Sequence, residues 1–281
     1  MSVSGQTRLF GLVGHPVRHS LSPAMYNALF ARYGVDAVYV AFDVDPRRAG
    51  AVASAIRTLD LVGVNLTVPF KERILPDLDH LTAAAAEAGA VNVVIQIDGA
   101  LAGYNTDGEG LCNSLEAEGR HLPGCRAVLL GAGGTARAVA SALLDRGAAH
   151  ITLLNRSPAR AEAAAAALAS IFGAARLAVG PLEPAAFAQA AEGAHLVFNG
   201  LAGGAEAQVA ALDPAPLAPN ADWVDANYWM ARPPQAERCA ALGLRFHSGH
   251  AMLLHQGALA FELFTGQPVT ADEIRALLEP R

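Results

Sequence analysis

The run Gly131-Ala132-Gly133-Gly134-Thr135-Ala136 constrains the fold more than any other part of the chain. It fits G-x-G-x-x-G/A, follows the apolar segment from Ala127 to Leu130, and opens a helical segment from Gly134 to Arg146. A strand, a glycine turn and a helix in that order form the first half of a dinucleotide-binding unit. The first glycine permits a tight turn, the second lets the backbone approach a pyrophosphate, and the small Ala136 allows close helix–strand packing. The helix N-terminus offers N–H groups and a positive dipole end to phosphates. Gly131, Ala132, Gly133 and Gly134 are therefore candidate cofactor contacts. Well before them lies Asn65-Leu66-Thr67-Val68-Pro69-Phe70-Lys71, a strand that stops at a proline with a lysine beyond it. Asn65 and Thr67 share parity and so face one side of that strand. Together the two motifs predict a two-domain enzyme that moves a hydride between a dinucleotide and an oxygenated substrate.

The rest of the chain keeps the same alternation. Strand patterns at Leu9 to Val13, Ala37 to Phe42 and Leu61 to Val68 are separated by helical segments at Pro23 to Tyr33 and Arg47 to Leu59. Ser22 is the expected N-cap of the first helix, with Pro23 in its first turn. Asp98-Gly99 between Val91 to Ile97 and Ala100 to Ala102 reads as a hairpin turn. A helix from Asp107 to Glu118 follows, and the alternation restarts at Arg126. Ile151 to Leu154, Leu196 to Phe198, Trp223 to Asp225 and Leu244 to Phe246 read as strands. Pro158 to Phe172 reads as a helix capped by Ser157. The expected fold class is α/β. An N-terminal α/β substrate domain spans residues 1–106, and a Rossmann-type doubly wound dinucleotide-binding domain spans 107–249. Two closing helices within 250–281, Ala251 to Phe264 and Ala271 to Leu278, are expected to return to the first domain.

Composition excludes several classes. The chain has 281 residues and a hydrophobic content of 53%, enough for two buried cores and too much for disorder. A net charge of −6 argues against a nucleic-acid binder, which needs a basic face. No apolar stretch is long enough to cross a membrane, and the first residues lack the layout of a secretory signal. Cys112, Cys125 and Cys239 show no paired spacing, as in a cytoplasmic protein with reduced thiols. His247, His250 and His255 do not share a helix face at metal-ligand spacing, so no metal is expected.

The second strand of the nucleotide unit points to the cofactor. An NAD site usually ends that strand with a carboxylate on the ribose 2′-hydroxyl. Here it runs into Asn155-Arg156-Ser157, with Arg160 one turn on. Arg156 and Arg160 suit a 2′-phosphate through charge-assisted hydrogen bonds, so NADP is favoured over NAD.

Five further segments belong with these motifs: Gly14-His15-Pro16-Val17-Arg18-His19-Ser20-Leu21-Ser22-Pro23, Ala90-Val91-Asn92, Gly103-Tyr104-Asn105-Thr106-Asp107-Gly108-Glu109-Gly110, Gly249-His250-Ala251-Met252-Leu253-Leu254-His255-Gln256, and Ala260-Phe261 with Thr265-Gly266. In this order and spacing the chain resembles the shikimate dehydrogenase family along essentially its whole length. The resemblance implies NADP-linked interconversion of 3-dehydroshikimate and shikimate, and it implies residue roles. Ser20 and Ser22 would bind the substrate carboxylate. Asn65, Thr67, Asn92 and Gln256 would bond the ring hydroxyls, with Tyr228 also on the substrate. Lys71 and Asp107 would form the catalytic pair. Asn155, Arg156, Ser157 and Arg160 would hold the adenosine phosphate end, and Gly249 and Met252 would lie near the nicotinamide. The implied partners are the small-molecule substrate and NADP(H), in a cytoplasmic monomer or homodimer.

The chemistry needs these residue types. Oxidising an alcohol removes a hydride and a proton, and a group beside the oxygen must take that proton or return it. Lys71 suits that role; as an ammonium it would instead polarise the carbonyl and stabilise a developing alkoxide. Both roles stay open on sequence alone. Two stretches depart from the family pattern. Asn199-Gly200-Leu201-Ala202-Gly203-Gly204 replaces Asn-Ala-Thr followed by Ser or Pro, and after Tyr228 the expected proline is displaced and the threonine absent. A quinate or aminoshikimate dehydrogenase of the same family is the nearest alternative. A catalytically idle ligand sensor is the alternative from another class; retention of Lys71 and Asp107 argues against it.

Overall fold

The computed structural model describes residues 3–201, 203–230 and 232–279. The chain divides into two compact units, residues 1–110 with 254–281, and residues 111–253. Asp107 and Gln256 both belong to the first unit.

The first unit is built on a six-stranded sheet of β1 (Arg8–Gly14), β2 (Ala37–Asp43), β3 (Gly63–Leu66), β4 (His80–Leu81), β5 (Val93–Ile97) and β6 (Ala100–Tyr104), in the order β2-β1-β3-β5-β6-β4. β1 pairs in parallel with β2 and β3, whereas β5 runs antiparallel to β3 and β6. The β5–β6 reversal falls at Asp98 and Gly99, both with positive φ (49° and 81°), the geometry of a tight hairpin turn. Phe10, Tyr26, Phe30, Tyr39, Phe261 and Phe264 form an aromatic core. Phe10 and Phe264 have ring centroids 5.1 Å apart, so the helix His250–Thr265 is fastened to β1 through its C-terminal half. The last helix, Ala271–Leu278, is closed by a capping box between Thr270 and Glu273 and packs on the helix Ser22–Tyr33. The closing helices thus return to the first unit.

The expected cap at Ser22 is not formed. Ser22 is already inside the helix, Leu21 holds the cap position, and no side chain bonds there. The Ser22 hydroxyl is instead engaged by Ser20, whose Oγ donates to Ser22 Oγ and accepts from Ser22 N, both at 3.2 Å. Ser157 does occupy the cap position of the helix Pro158–Phe172, but its side chain makes no capping bond.

The second unit carries an all-parallel sheet of β7 (Arg126–Leu130), β8 (His150–Asn155), β9 (Leu177–Pro181), β10 (Leu196–Asn199), β11 (Asp222–Asp225) and β12 (Arg245–Ser248), in the order β12-β11-β10-β7-β8-β9. Central strands read as unbroken buried runs, as sheets covered on both faces require. β9 is absent from the sequence expectation. It is a half-exposed edge strand that ends in Gly180-Pro181, and neither periodicity nor composition marks it. Strand order reverses between β10 and β7, and ligands of open α/β sheets bind beyond the strand ends at such a switch point.

A charge cluster fastens the opposite, N-terminal edge of this sheet. Asp222 accepts from Arg245 Nε (2.8 Å) and Nη2 (2.9 Å) and lies 2.7 Å from His247 Nε2. Burial pushes the Asp222 carboxyl upward, but its bonds to Arg245 and His247 outweigh that and hold it below the usual range. Among the described residues, no helix is long and apolar enough to cross a membrane.

Candidate active site

Lys71 lies in the short helix Phe70–Arg73 just after β3, and Asp107 opens the helix Asp107–Ala117. Lys71 Nζ donates to Asp107 Oδ2 at 2.5 Å, and the side chains are only 15% and 7% exposed. An ion pair so shielded from water is far stronger electrostatically than one on the surface. Both backbones are pinned. The Lys71 carbonyl accepts from Val91 N at 2.8 Å, and Asp107 N donates to Asn105 Oδ1 at 3.0 Å.

Asn92 is the hub of the cluster. Its Nδ2 donates to Asp107 Oδ1 (2.9 Å) and Thr106 Oγ1 (2.8 Å) and reaches Gln256 Oε1 (3.4 Å), while its Oδ1 accepts from Thr106 N (2.8 Å). Thr106 Oγ1 also donates to Gln256 Oε1 at 3.4 Å. Asp107 therefore accepts Asn92 on one oxygen and Lys71 on the other. The carbonyl end of Gln256 faces Asn92 and Thr106. Gly110 makes this approach possible, because a Cβ there would sit 2.7 Å from Gln256 N. Asn65, on β3, accepts from Tyr39 OH at 2.7 Å and donates to the Asn92 carbonyl at 3.3 Å.

Thr67 follows the end of β3 rather than lying within it, and its N–H donates to Val13 O at 2.9 Å. His15 N donates to Val68 O at 2.9 Å, so the loop bearing Ser20 leaves the sheet beside the loop bearing Thr67 and Lys71. Hydrogen bonds thus join Lys71, Asp107, Asn92, Gln256 and Asn65 into one network, with Ser20 of the neighbouring loop paired to Ser22 at the start of the helix that follows it. Thr106, Asn105 and Tyr39 are the members to which sequence reasoning gave no role. Thr106 and Asn105 stand inside a motif already singled out. Tyr39 carries no local signal, since a tyrosine in a strand reads as core.

In the second unit, Gly131 follows β7 with a φ of 108°, a conformation that side-chain-bearing residues rarely adopt. Its N–H donates to Leu154 O at 2.8 Å, which ties the turn to β8. Gly133 holds the cap position of the helix Gly134–Asp145, and Ala132 and Ala136 are buried. β8 ends at Asn155, whose Nδ2 donates to Ser157 O at 2.9 Å, and the exposed Arg156 and Arg160 follow. No carboxylate stands at that strand end. A glycine turn opening onto a helix N-terminus, beside two exposed guanidiniums, fits a phosphorylated dinucleotide.

Asp225 ends β11 at 1% exposure and accepts from Asn199 Nδ2 (3.0 Å), Asn227 N (2.9 Å) and Asn227 Nδ2 (2.9 Å). Asn227 Nδ2 also donates to Leu201 O at 3.0 Å. This knot binds together the starts of the two stretches that depart from the family pattern; Ala202 and Ala231 within them lie outside the described residues. Tyr228 follows the knot, with ring centroids 5.3 Å from Trp229 and 5.4 Å from His250. Gly249 follows β12, and Met252 is buried in the core of this unit. A recess of about 350 Å³ over β7–β9, lined by Arg126, His150, Thr152 and Gln189 among others, holds none of the motif residues.

A doubly wound nucleotide-binding unit joined to an α/β unit that carries a buried lysine–carboxylate pair defines a dinucleotide-linked dehydrogenase. Family comparison narrows this. Residues 12–94 match the shikimate dehydrogenase substrate binding domain, residues 114–192 the shikimate/quinate 5-dehydrogenase family, and residues 249–279 the shikimate 5′-dehydrogenase C-terminal domain. The shikimate dehydrogenase (NADP(+)) of Moorella thermoacetica is 43% identical over 274 residues, covering 95% of this chain and 91% of that protein. The crystal structure of shikimate 5-dehydrogenase from Listeria monocytogenes with shikimate and NAD superposes with a TM-score of 0.88 at 31% identity, covering 99% of each chain. The Thermus thermophilus enzyme with NADP(H) and shikimate gives 0.82 at 35% identity, covering 96% of this chain and 98% of that one. The chain belongs to the shikimate dehydrogenase family.

Proposed function

We propose that this chain is an NADP-dependent oxidoreductase that reversibly reduces 3-dehydroshikimate to shikimate in the cytoplasm. The observation that carries the reading is the buried Lys71–Asp107 pair, held from behind by Asn92. Residues of the first unit bind substrate: Ser20 and Ser22 take the carboxylate, and Asn65, Thr67, Asn92 and Gln256 take the ring oxygens. Tyr228 adds a further substrate contact. Lys71 exchanges the proton at the reacting oxygen, and Asp107 orients both the ammonium and the substrate hydroxyl.

In the second unit, the backbone from Gly131 to Gly134 holds the pyrophosphate. Asn155, Arg156, Ser157 and Arg160 hold the 2′-phosphate end, and Gly249 and Met252 border the nicotinamide. The bound nicotinamide supplies or accepts the hydride. The likeness of the chain to relatives named for NADP, and the absence of a carboxylate after β8, support NADP over NAD.

Initial rates measured with NADP or NAD crossed with shikimate, quinate and aminoshikimate test the assignment. The expected result is fast turnover with NADP and shikimate. Preference for another ring acid would move the chain to a sister activity and implicate the stretches around Gly200 and Trp229. Ligand binding without turnover on any pair would make it a sensor.

A further inference from the structure

Asn65 is held from two sides, and one holder, Tyr39, lies outside the motifs that the sequence singles out. Tyr39 sits on the edge strand β2 and is 2% exposed. Its main chain is clamped by Asn27: Tyr39 N donates to Asn27 Oδ1 at 2.9 Å, and Asn27 Nδ2 donates to Tyr39 O at 2.9 Å. Its ring stacks on Tyr26, with centroids 4.5 Å apart and planes 25° apart. Tyr26 directs its own hydroxyl at the Gly257 carbonyl, 3.4 Å away. So fixed, the Tyr39 hydroxyl donates to Asn65 Oδ1 at 2.7 Å.

A side-chain amide can be turned over with little change of shape, which exchanges its oxygen and nitrogen. Here Oδ1 takes the Tyr39 proton, and Nδ2 gives one proton to the Asn92 carbonyl at 3.3 Å. The reversed amide would set oxygen against that carbonyl, two acceptors in contact. The Asn92 carbonyl therefore sets which end of the amide faces it, and the Tyr39 hydroxyl, with the Tyr26 phenol also within reach of Asn65, fixes where the amide lies. We propose that Tyr39 is a positioning residue that holds the Asn65 amide in one place, so that Asn65 meets the substrate ring at one defined point. This rests on the reading that Asn65 contacts the substrate.

The test is a cycle of Tyr39→Phe, Asn65→Ala and the double variant, with shikimate and NADP as the varied substrates. Loss of one buried hydrogen bond predicts that Tyr39→Phe raises the KM for shikimate about five- to tenfold, leaving kcat and the KM for NADP within about twofold. In the Asn65→Ala background the same change should add nothing. A purely structural tyrosine would lower Tm and leave KM alone. An unchanged KM, or an equal further rise on top of Asn65→Ala, overturns the proposal. A second readout needs no substrate. In the ligand-free protein the NMR signals of the Asn65 side-chain amide should shift and exchange with solvent faster in Tyr39→Phe than in the wild type. Unaltered signals also overturn the proposal. A wild-type protein that ignores shikimate overturns only the assigned reaction.

Discussion

The polar cluster of the first unit is wired before any ligand arrives, whereas the candidate cofactor residues of the second are strung around a backbone turn. Lys71, Asp107, Asn92, Thr106 and Gln256 touch one another in a buried network. Gly131 to Gly134 offer main-chain groups, and Arg156 and Arg160 stand exposed. The contrast follows from what each must hold. Proton exchange at one oxygen needs side chains fixed to a fraction of an ångström, so the protein spends hydrogen bonds on fixing them. A pyrophosphate needs only oriented N–H groups, which a turn and a helix start supply without side-chain scaffolding. The best-wired polar groups of the second unit, around Asp225 and Asp222, instead hold the sheet ends in place.

Removing the centre of the first network is the largest test of this contrast. Lys71→Ala should lower kcat by about 10²–10⁴-fold. Shikimate binding measured by calorimetry should survive in part, because Asn92, Gln256 and the serines remain. Near wild-type turnover would remove Lys71 from the chemistry and with it the proposed reaction.

How much of this was legible follows from the same contrast. The residues of the first network were named from sequence because each stands in a motif of unusual residue types. Their wiring was not, because the bonds of Asn92 reach into segments as far along the chain as Thr106 and Gln256. Tyr39 was missed because its role depends on where β2 lies beside β1 and β3, which a single strand pattern does not state. Asp225 was missed because one acidic residue ending a strand looks like any exposed turn residue until its burial is known. The glycine turn was fully legible, since its function resides in the backbone conformation that the glycines allow.

The next largest effect should fall on the second unit. Asp225→Ala leaves Asn199 Nδ2 and two Asn227 donors buried without their acceptor. A loss of roughly 3 kcal/mol of stability is expected. Trp223 and Trp229, the only tryptophans of the chain, both lie in this unit, so fluorescence during urea unfolding reports it directly. An unchanged midpoint would show that the knot contributes nothing to the hold on these loops.

A smaller effect separates cofactor from substrate. Arg156→Ala with Arg160→Ala should raise the KM for NADPH about tenfold, since exposed guanidiniums work against screening by salt. The KM for shikimate and the rate with NADH should barely move. An equal loss with both cofactors would place the arginines on something other than the 2′-phosphate.

A last comparison distinguishes the units by alkaline pH. Cys112, Cys125 and Cys239 are all buried and all in the second unit. Burial, with the Asp222 carboxylate adding to it, pushes the Cys125 thiol from 9.0 up to about 11, and burial alone does the same for Cys239. Below pH 9 these thiols are protonated in both folded and unfolded chains, so stability does not depend on them. Between about pH 9 and 11 the unfolded chain releases protons that the folded chain keeps, and stability must fall as pH rises. The slope is about 1.4 kcal/mol per pH unit for each thiol once it has ionised in the unfolded chain only. In the first unit, burial pushes the Tyr26 phenol above its ordinary 10.0, an effect only partly offset by Asn65, so its linked loss begins about one pH unit later. Tryptophan-detected urea midpoints should therefore begin to drop near pH 9, and Cys125→Ala should shed about half of that slope. A midpoint flat from pH 8 to pH 10 would mean that water reaches the thiols in the folded second unit, against the burial described for it.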